Sequence, residues 1–513
     1  MIYNIISLSF FGEHIMRRNG ILMHISSLPS LYGIGSLGSS AYDFVDFLHE
    51  GGQSIWQVLP TNPTSYGDSP YQSFSAFAGN PYFIDLDILY ENGLISKEII
   101  NLSKYTKNYD AVDYAWVYEN RKTVFLEAYK NFDFTLADYI EFCSNNKAWL
   151  DSYALFMALK DSHLGSAWYE WEDKYKFKEA DAITAFESEN KHTVDMYKME
   201  QYLFHIQWKK LRKYANEKGI KIIGDMPIYT AYDSADVWEN PHLFKLDKNL
   251  CPTHVAGCPP DAFSLDGQRW GNPLYDWSVM KKDNYSWFSS RMSNMKKLFD
   301  IIRIDHFRGF AEYYSIPAEH ESAKNGKWLK GPGISLFRCI RENCGETEII
   351  AEDLGFLTPS VKKLLKDCAF PGIKVLQFAF DAREESDYLP HNYEKNCVVY
   401  TGTHDNDTVL GWFATADSSD TEYAKKYLHL SKEEGYNWGM IRGAMQSPAD
   451  TCILQMQDLL GLDNRARMNT PSTLGGNWSW RIRSECINSW LSEILYKLTK
   501  TYCRLPDTSK IED

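Results

Sequence analysis

The chain has no C-x-x-C pair; its ten cysteines are scattered over 513 residues, the closest spacings being Cys251/Cys258 and Cys339/Cys344. That pattern reads as free buried thiols in a reducing compartment, the cytoplasm, rather than a disulfide framework. No stretch approaches the roughly 18–20 apolar residues of a membrane span. No polybasic run marks an anionic membrane surface, so no membrane partner is expected. The formal net charge of −14 lacks the basic stripe that nucleic acid requires, so none is expected as a partner either. An H-x-x-x-H pair or other closely spaced ligand set is missing, which argues against a metal centre. The segment Met1 to Phe11 is mildly apolar but has no basic n-region and no small-residue cleavage site, so a signal peptide is not expected. We read residues 1–16 as an extension without assignable function, with Met16 as an alternative start.

What is present is ordinary globular composition, 44% hydrophobic and 24% charged, enough for a large core. Aromatic residues reach 15%, which also suits a protein that stacks flat rings on sugar faces. Short β-rich runs recur at helical-length spacing: Gly20 to Leu28, Ser54 to Pro60, Lys221 to Ile228, Asp300 to Phe307, Glu348 to Gly355, Ile373 to Phe380, Cys397 to Asp405 and, weakly, Cys452 to Leu460. Most are near-continuous apolar runs, the mark of strands buried on both faces of a parallel sheet. Eight such β/α units predict an α/β fold, a TIM (β/α)8 barrel, over residues 17–505 with a tail at 506–513. Two inserted regions interrupt it: a largely helical one at about 61–219 and a Pro-, Gly- and aromatic-rich excursion at about 229–276.

Four of these runs carry a carboxylate in or near their C-terminal half: Asp225, Asp305, Glu352 and Asp405. In this fold those ends open onto one face, where active sites sit. A single strand-end acid is ordinarily a helix cap. Four together, flanked by Arg303, His306 and His404, point to chemistry. With no nucleophilic Ser or Cys motif, cleavage of a glycosidic bond fits best: one carboxylic acid protonates the leaving oxygen while a second carboxylate attacks the anomeric carbon. Arg303, two residues before Asp305, lies on the same side of the strand and is expected to keep Asp305 ionised as a nucleophile. Glu352, beside another anion that favours its protonated form, suits the proton donor. Asp405, next to His404, suits sugar hydroxyls at the charge-developing ring.

The segments Arg303-Ile304-Asp305-His306-Phe307-Arg308-Gly309, Ala351-Glu352-Asp353-Leu354-Gly355 and Gly402-Thr403-His404-Asp405-Asn406 resemble those of the amylomaltases, the 4-α-glucanotransferase family related to α-amylases. Trp56-Gln57-Val58-Leu59-Pro60, Tyr66-Gly67-Asp68-Ser69-Pro70-Tyr71-Gln72, Phe77-Ala78-Gly79-Asn80-Pro81, Gln268-Arg269-Trp270-Gly271-Asn272-Pro273 and Asn469-Thr470-Pro471 extend the likeness along nearly the whole chain. The resemblance implies a retaining enzyme that moves a segment of an α-1,4-glucan to glucose or another glucan, without cofactor or catalytic metal. It implies Asp305 as the nucleophile forming a glycosyl ester, Glu352 as general acid/base and Asp405 as transition-state stabiliser, with Arg303, His404 and Asp225 in support. Such double displacement needs the two working carboxyls about 5–5.5 Å apart.

Transfer rather than hydrolysis requires an acceptor held in place and water kept out. The 229–276 excursion, with Phe263, Arg269 and Trp270, is the expected cover; Trp270 serves as a sugar platform or a packing anchor. Tyr66, Asp68, Ser69 and Tyr71 sit in the loop after the second strand on the same rim, with Asp68 also readable as a turn residue. Gly33-Ile34-Gly35-Ser36-Leu37-Gly38 matches a dinucleotide fingerprint, but a lone match reads as a tight loop. An α-amylase-type hydrolase and a non-catalytic maltodextrin-binding protein are the alternatives, and the chain leaves oligomeric state open.

Overall fold

A computed structural model describes residues 17–65, 67–260, 265–355 and 357–506. The extension before Arg17, Tyr66, Phe263 and nearly all of the tail lie outside the described residues. Among the described residues there are twelve strands: β1 (Arg18–Leu22), β2 (Ile55–Gln57), β3 (Lys221–Met226), β4 (His254–Cys258), β5 (Gln268–Pro273), β6 (Ile301–Ile304), β7 (Glu312–Pro317), β8 (Lys327–Lys330), β9 (Glu348–Ala351), β10 (Gly372–Val375), β11 (Cys397–Tyr400) and β12 (Thr451–Gln455). Eight of them, β1, β2, β3, β6, β9, β10, β11 and β12, close into a parallel barrel whose spatial order follows the chain. All eight expected runs are therefore barrel strands, and the fold is a TIM barrel. Their residues are apolar without alternation because side chains on one face fill the barrel and those on the other pack under helices.

Gly224 shows how the pleat aims a functional side chain. A Cβ there would lie 2.2 Å from the Phe299 ring, so only glycine lets Phe299 close against the outer face of β3. Successive residues of a strand face opposite ways, and Asp225 accordingly turns into the barrel.

Between β2 and β3 the chain forms helices at Tyr114–Asn131, Ala137–Ser162, Ala180–Glu189 and Lys191–Glu217, with shorter ones before and between them. The last of these belongs to two layers. Its first turns pack within the insertion, while Trp208 near its C-terminal end donates its indole N–H to the Leu298 carbonyl at 2.8 Å and Tyr214 bonds Asp46 at 2.7 Å. One continuous apolar stripe through Leu203, Phe204, Leu211 and Ala215 lets a single 27-residue helix do both.

The expected cover is more ordered than a loop. β4 and β5 of the 229–276 excursion pair antiparallel with β7 and β8, which come from the segment after β6, in the order β5-β4-β7-β8. The sequence reading contained neither β7 nor β8. Strands of four to six residues bury little surface of their own, so their apolar pattern is too short to stand out beside the barrel runs. None of the described helices is long and apolar enough to cross a membrane.

The tightness at Gly224 gives a stability test. Gly224→Ala should lower the thermal unfolding midpoint by the equivalent of about 1–3 kcal/mol, the usual cost of overpacking; an unchanged midpoint would mean that Phe299 yields freely.

Candidate active site

The registers of three neighbouring strands assemble the site. Asp225 of β3 stands opposite Arg303 of β6, so both project inward at one level. Ile304 of β6 stands opposite Ala351 of β9, which makes Asp305 and Glu352 the next matched pair just past the strand ends. The ladder continues through them: the Glu352 N–H donates to the Ile304 carbonyl at 3.0 Å, and the Phe307 N–H to the Glu352 carbonyl at 2.9 Å. Two carboxylates thus leave adjacent parallel strands, whose axes lie about 4.7–4.9 Å apart.

Below them, Nη1 of the buried Arg303 donates to both oxygens of Asp225, at 2.7 and 2.6 Å, and reaches Asp305 Oδ1 at 3.2 Å. Tyr71 completes this layer by donating its hydroxyl to Asp225 Oδ2 at 2.8 Å. Its ring stacks on His404 with centroids 5.0 Å apart and planes 19° apart. His404 in turn faces Asp405, Nε2 to Oδ2 3.4 Å. Asp405 is held from the far side as well, since Asn469 Nδ2 donates to its Oδ1 at 2.6 Å and Arg467 Nη2 to its backbone carbonyl at 2.6 Å.

Glu352 is oriented by backbone. The His306 N–H donates to Oε2 at 2.6 Å and the Leu354 N–H to Oε1 at 3.0 Å. His306 achieves this from a left-handed conformation, φ 48°, uncommon for a residue with a side chain. Strain of this kind, about 1–3 kcal/mol, persists where surrounding structure enforces it. The His306 ring meets the edge of Trp270 at 4.9 Å and is kept neutral, its pKa lowered to about 3 by burial and the Arg308 charge.

The electrostatics separate the acids. Burial raises the Asp305 carboxyl well above the usual range; Asp225 and Glu352 push the same way, while Arg303 and His404 oppose them. Arg303 thus favours the ionised form of Asp305, but it is engaged twice by Asp225 and gives Asp305 only the longer contact. Asp405 goes the other way. Burial works against its charge, but His404, Asn469 and Arg303 outweigh it and bring the carboxyl down to about 2. Burial also opposes a charge on His404, yet Asp405 raises its pKa overall. Among the described residues, no group of three or more His, Cys, Asp or Glu side chains is arranged to hold a metal ion.

The remaining expected residues divide. Trp270, half-buried, stands beside His306, the residue after Asp305, and its indole N–H donates to Gln268 Oε1 at 3.0 Å. Arg269 is not brought to the carboxylates. Lying on the opposite face of β5 from Trp270, it is exposed and donates to the Ala318 carbonyl at 3.1 Å. Asp68 and Ser69 shape the turn that delivers Tyr71. Asp68 has φ 60° and its N–H bonds the Ser65 carbonyl at 3.1 Å, while Ser69 Oγ accepts the Tyr71 N–H at 3.3 Å. Two contributors were not assigned from sequence: the link from Tyr71 to Asp225 and the clamp of Asn469 on Asp405. Both residues stood inside recognisable segments, but no local pattern reveals partners 154 and 64 positions away.

Comparison with known proteins accords with this geometry. A family model described as 4-alpha-glucanotransferase matches residues 23–487. The 4-alpha-glucanotransferase of Clostridium butyricum is 52% identical over 488 residues, covering 94% of this chain and all of that one. That of Streptococcus pneumoniae serotype 4 is 48% identical, covering 95% and 98%. Among solved structures, the amylomaltase of Streptococcus agalactiae in complex with acarbose superposes with a TM-score of 0.93 at 41% identity, covering 96% of this chain and 100% of that one.

Removing the central cation tests the arrangement without any assay of turnover. Arg303→Gln leaves Asp225 buried and unpaired, and should cost about 3–5 kcal/mol of unfolding free energy; a variant as stable as the parent would show that the pair carries no structural weight.

Proposed function

Because the chain belongs to the 4-alpha-glucanotransferase family, we propose that this cup moves a segment of an α-1,4-glucan to the 4-hydroxyl of glucose or another α-1,4-glucan by double displacement at Asp305. The observation that carries the reading is the register of β6 with β9, which sets Asp305 and Glu352 side by side at the ends of adjacent strands. The spacing of neighbouring strands, about 4.7–4.9 Å, agrees with the about 5–5.5 Å of a retaining pair better than with the wider spacing of an inverting one.

In the first half-reaction Glu352 gives its proton to the glycosidic oxygen as the Asp305 carboxylate attacks the anomeric carbon. The C1–O bond breaks, the fragment beyond it leaves as an alcohol, and a glycosyl ester of Asp305 remains. In the second half Glu352, now ionised, takes the proton of the acceptor 4-hydroxyl, whose oxygen attacks C1 and frees Asp305. Asp405, ionised throughout, faces the positive charge that develops on the ring. Asp225, Arg303, Tyr71 and His404 form the floor on which the reacting sugar is held. Trp270, beside His306, and the β5-β4-β7-β8 sheet form the cover, which favours a bound sugar over bulk water.

Incubation with maltotriose is the direct test: glucose plus a ladder of longer oligomers is expected, whereas mainly glucose and maltose would mean hydrolysis. Asp305→Asn should lose turnover and yet melt higher than the parent at neutral pH. The sign follows from the raised Asp305 pKa: the folded state holds that proton more tightly than the unfolded chain. Ionising Asp305 therefore costs stability as pH rises above the ordinary aspartate range, and asparagine removes the cost. For the same reason the acid limb of kcat/KM should lie above the usual carboxylate range, activity falling as pH drops and Asp305 takes up its proton. A limb at an ordinary aspartate position, or wild-type turnover in Asp305→Asn, would remove Asp305 from the nucleophile role.

A further inference from the structure

On the flank of the barrel, lined by none of the four carboxylates, lies a trough of about 630 Å³ between the helices Ala137–Ser162 and Ser286–Leu298. Its two banks follow from helical spacing. Ser286, Ser290, Ser293 and Lys297 recur every three or four residues and share one face over about 16 Å. Asn145, Trp149 and Ser152 do the same on the opposite helix. Small side chains along one bank hold the trough open, and aromatic rings form its floor. Trp149, half-buried, lies nearly parallel to Phe77, with centroids 6.3 Å apart and planes 14° apart, and Phe77 meets Trp287 edge-on at 6.0 Å.

The buried polar groups lining it have bonding capacity to spare. Asn294 is 5% exposed and its Nδ2 donates to the Phe77 carbonyl at 3.1 Å, which leaves its Oδ1 without a partner among the described residues. Ser289, 7% exposed, accepts the Asn343 Nδ2 at 3.0 Å, and its own hydroxyl proton has no acceptor there. Polar groups that line an open trough with a bond still to make can make it with what enters.

The lining chooses the chemistry of that ligand. Amides and hydroxyls, which both donate and accept, match hydroxyl groups that also do both. Anions are disfavoured, because Asp236, Glu239 and Asp283 line the trough against the one lysine, Lys297. An aromatic floor beneath banks rich in amides and hydroxyls is a surface for a sugar chain.

We propose that this trough is a second glucan site, which holds one stretch of a long α-1,4-glucan on the flank of the barrel while another stretch occupies the cup; the proposal rests on the glucan reading above. A polymer held at one place raises the effective concentration of its remaining residues at the other, whereas maltotriose has nothing left over once it fills either. Long glucans therefore gain affinity and the shortest substrate does not.

Two exposed positions, Ser293 and Asn145, allow the trough to be filled from opposite banks without touching the core or the cup. In an Asp305→Asn background that stops turnover, retardation of the full chain in native gels containing soluble amylose reads its affinity. Ser293→Trp and Asn145→Trp should each weaken that affinity about tenfold. The same substitutions in the active chain should leave kcat and KM for maltotriose unchanged. Amylose retardation unaltered in both variants would overturn the second site. Failure of the parent chain to disproportionate maltotriose would instead strike at the reading of the cup, so the two outcomes are distinct.

Discussion

A single guanidinium makes the acidic cup possible. Asp225 is 1% exposed, and a carboxylate buried without an opposing charge costs several kcal/mol. Arg303, packed beside it by the β3–β6 register, supplies the opposing charge and then has only a longer contact left for Asp305. Burial, together with that uneven sharing and the nearness of His404 to Asp405, divides the acids. Asp225 takes the two short bonds from Arg303, Asp305 is left partly uncompensated with its proton affinity raised, and Asp405 is stabilised as an anion by His404 and Asn469. Carboxyl groups of one chemical type take different parts because their surroundings push them apart.

The barrel supplies the layering and the long connections supply the joins. Tyr71, carried on the turn after β2, ties Asp225 to His404, while Asn469, carried on the segment after β12, ties His404's neighbour Asp405 from the other side. Gln72 reaches across to Asn272 at 3.0 Å, which links the same turn to β5 and so to Trp270. The rim and the cover are in this way one hydrogen-bonded unit.

The flank trough proposed as a second glucan site adds a second length scale to this arrangement. Under that proposal, a hold on the barrel's side favours polymeric substrates over short ones without altering the chemistry at the cup. The helix spacing that opens the trough is a local property of Ser286 to Lys297, but it has meaning only because the inserted helix Ala137–Ser162 stands opposite.

How much could be read in advance depended on the range of the interaction concerned. Runs such as Lys221 to Met226 and Cys397 to Tyr400 declare buried parallel strands by themselves, since burial on both faces demands uninterrupted apolar residues. The acids at or just beyond those strands declare a site, because the fold sends all such ends to one face. Pairings between distant segments left no such mark. The antiparallel sheet of β4, β5, β7 and β8, the turning of Arg269 away from the cup, the clamp on Asp405 and the preference of Arg303 for Asp225 over Asp305 all depend on which chains meet in space, and local pattern does not encode that. Residue type and spacing determined the barrel and the identity of its acids. Tertiary contact alone decided how their charges are shared, because proton affinity is set by burial and neighbouring charge, and both exist only once the strands are in register.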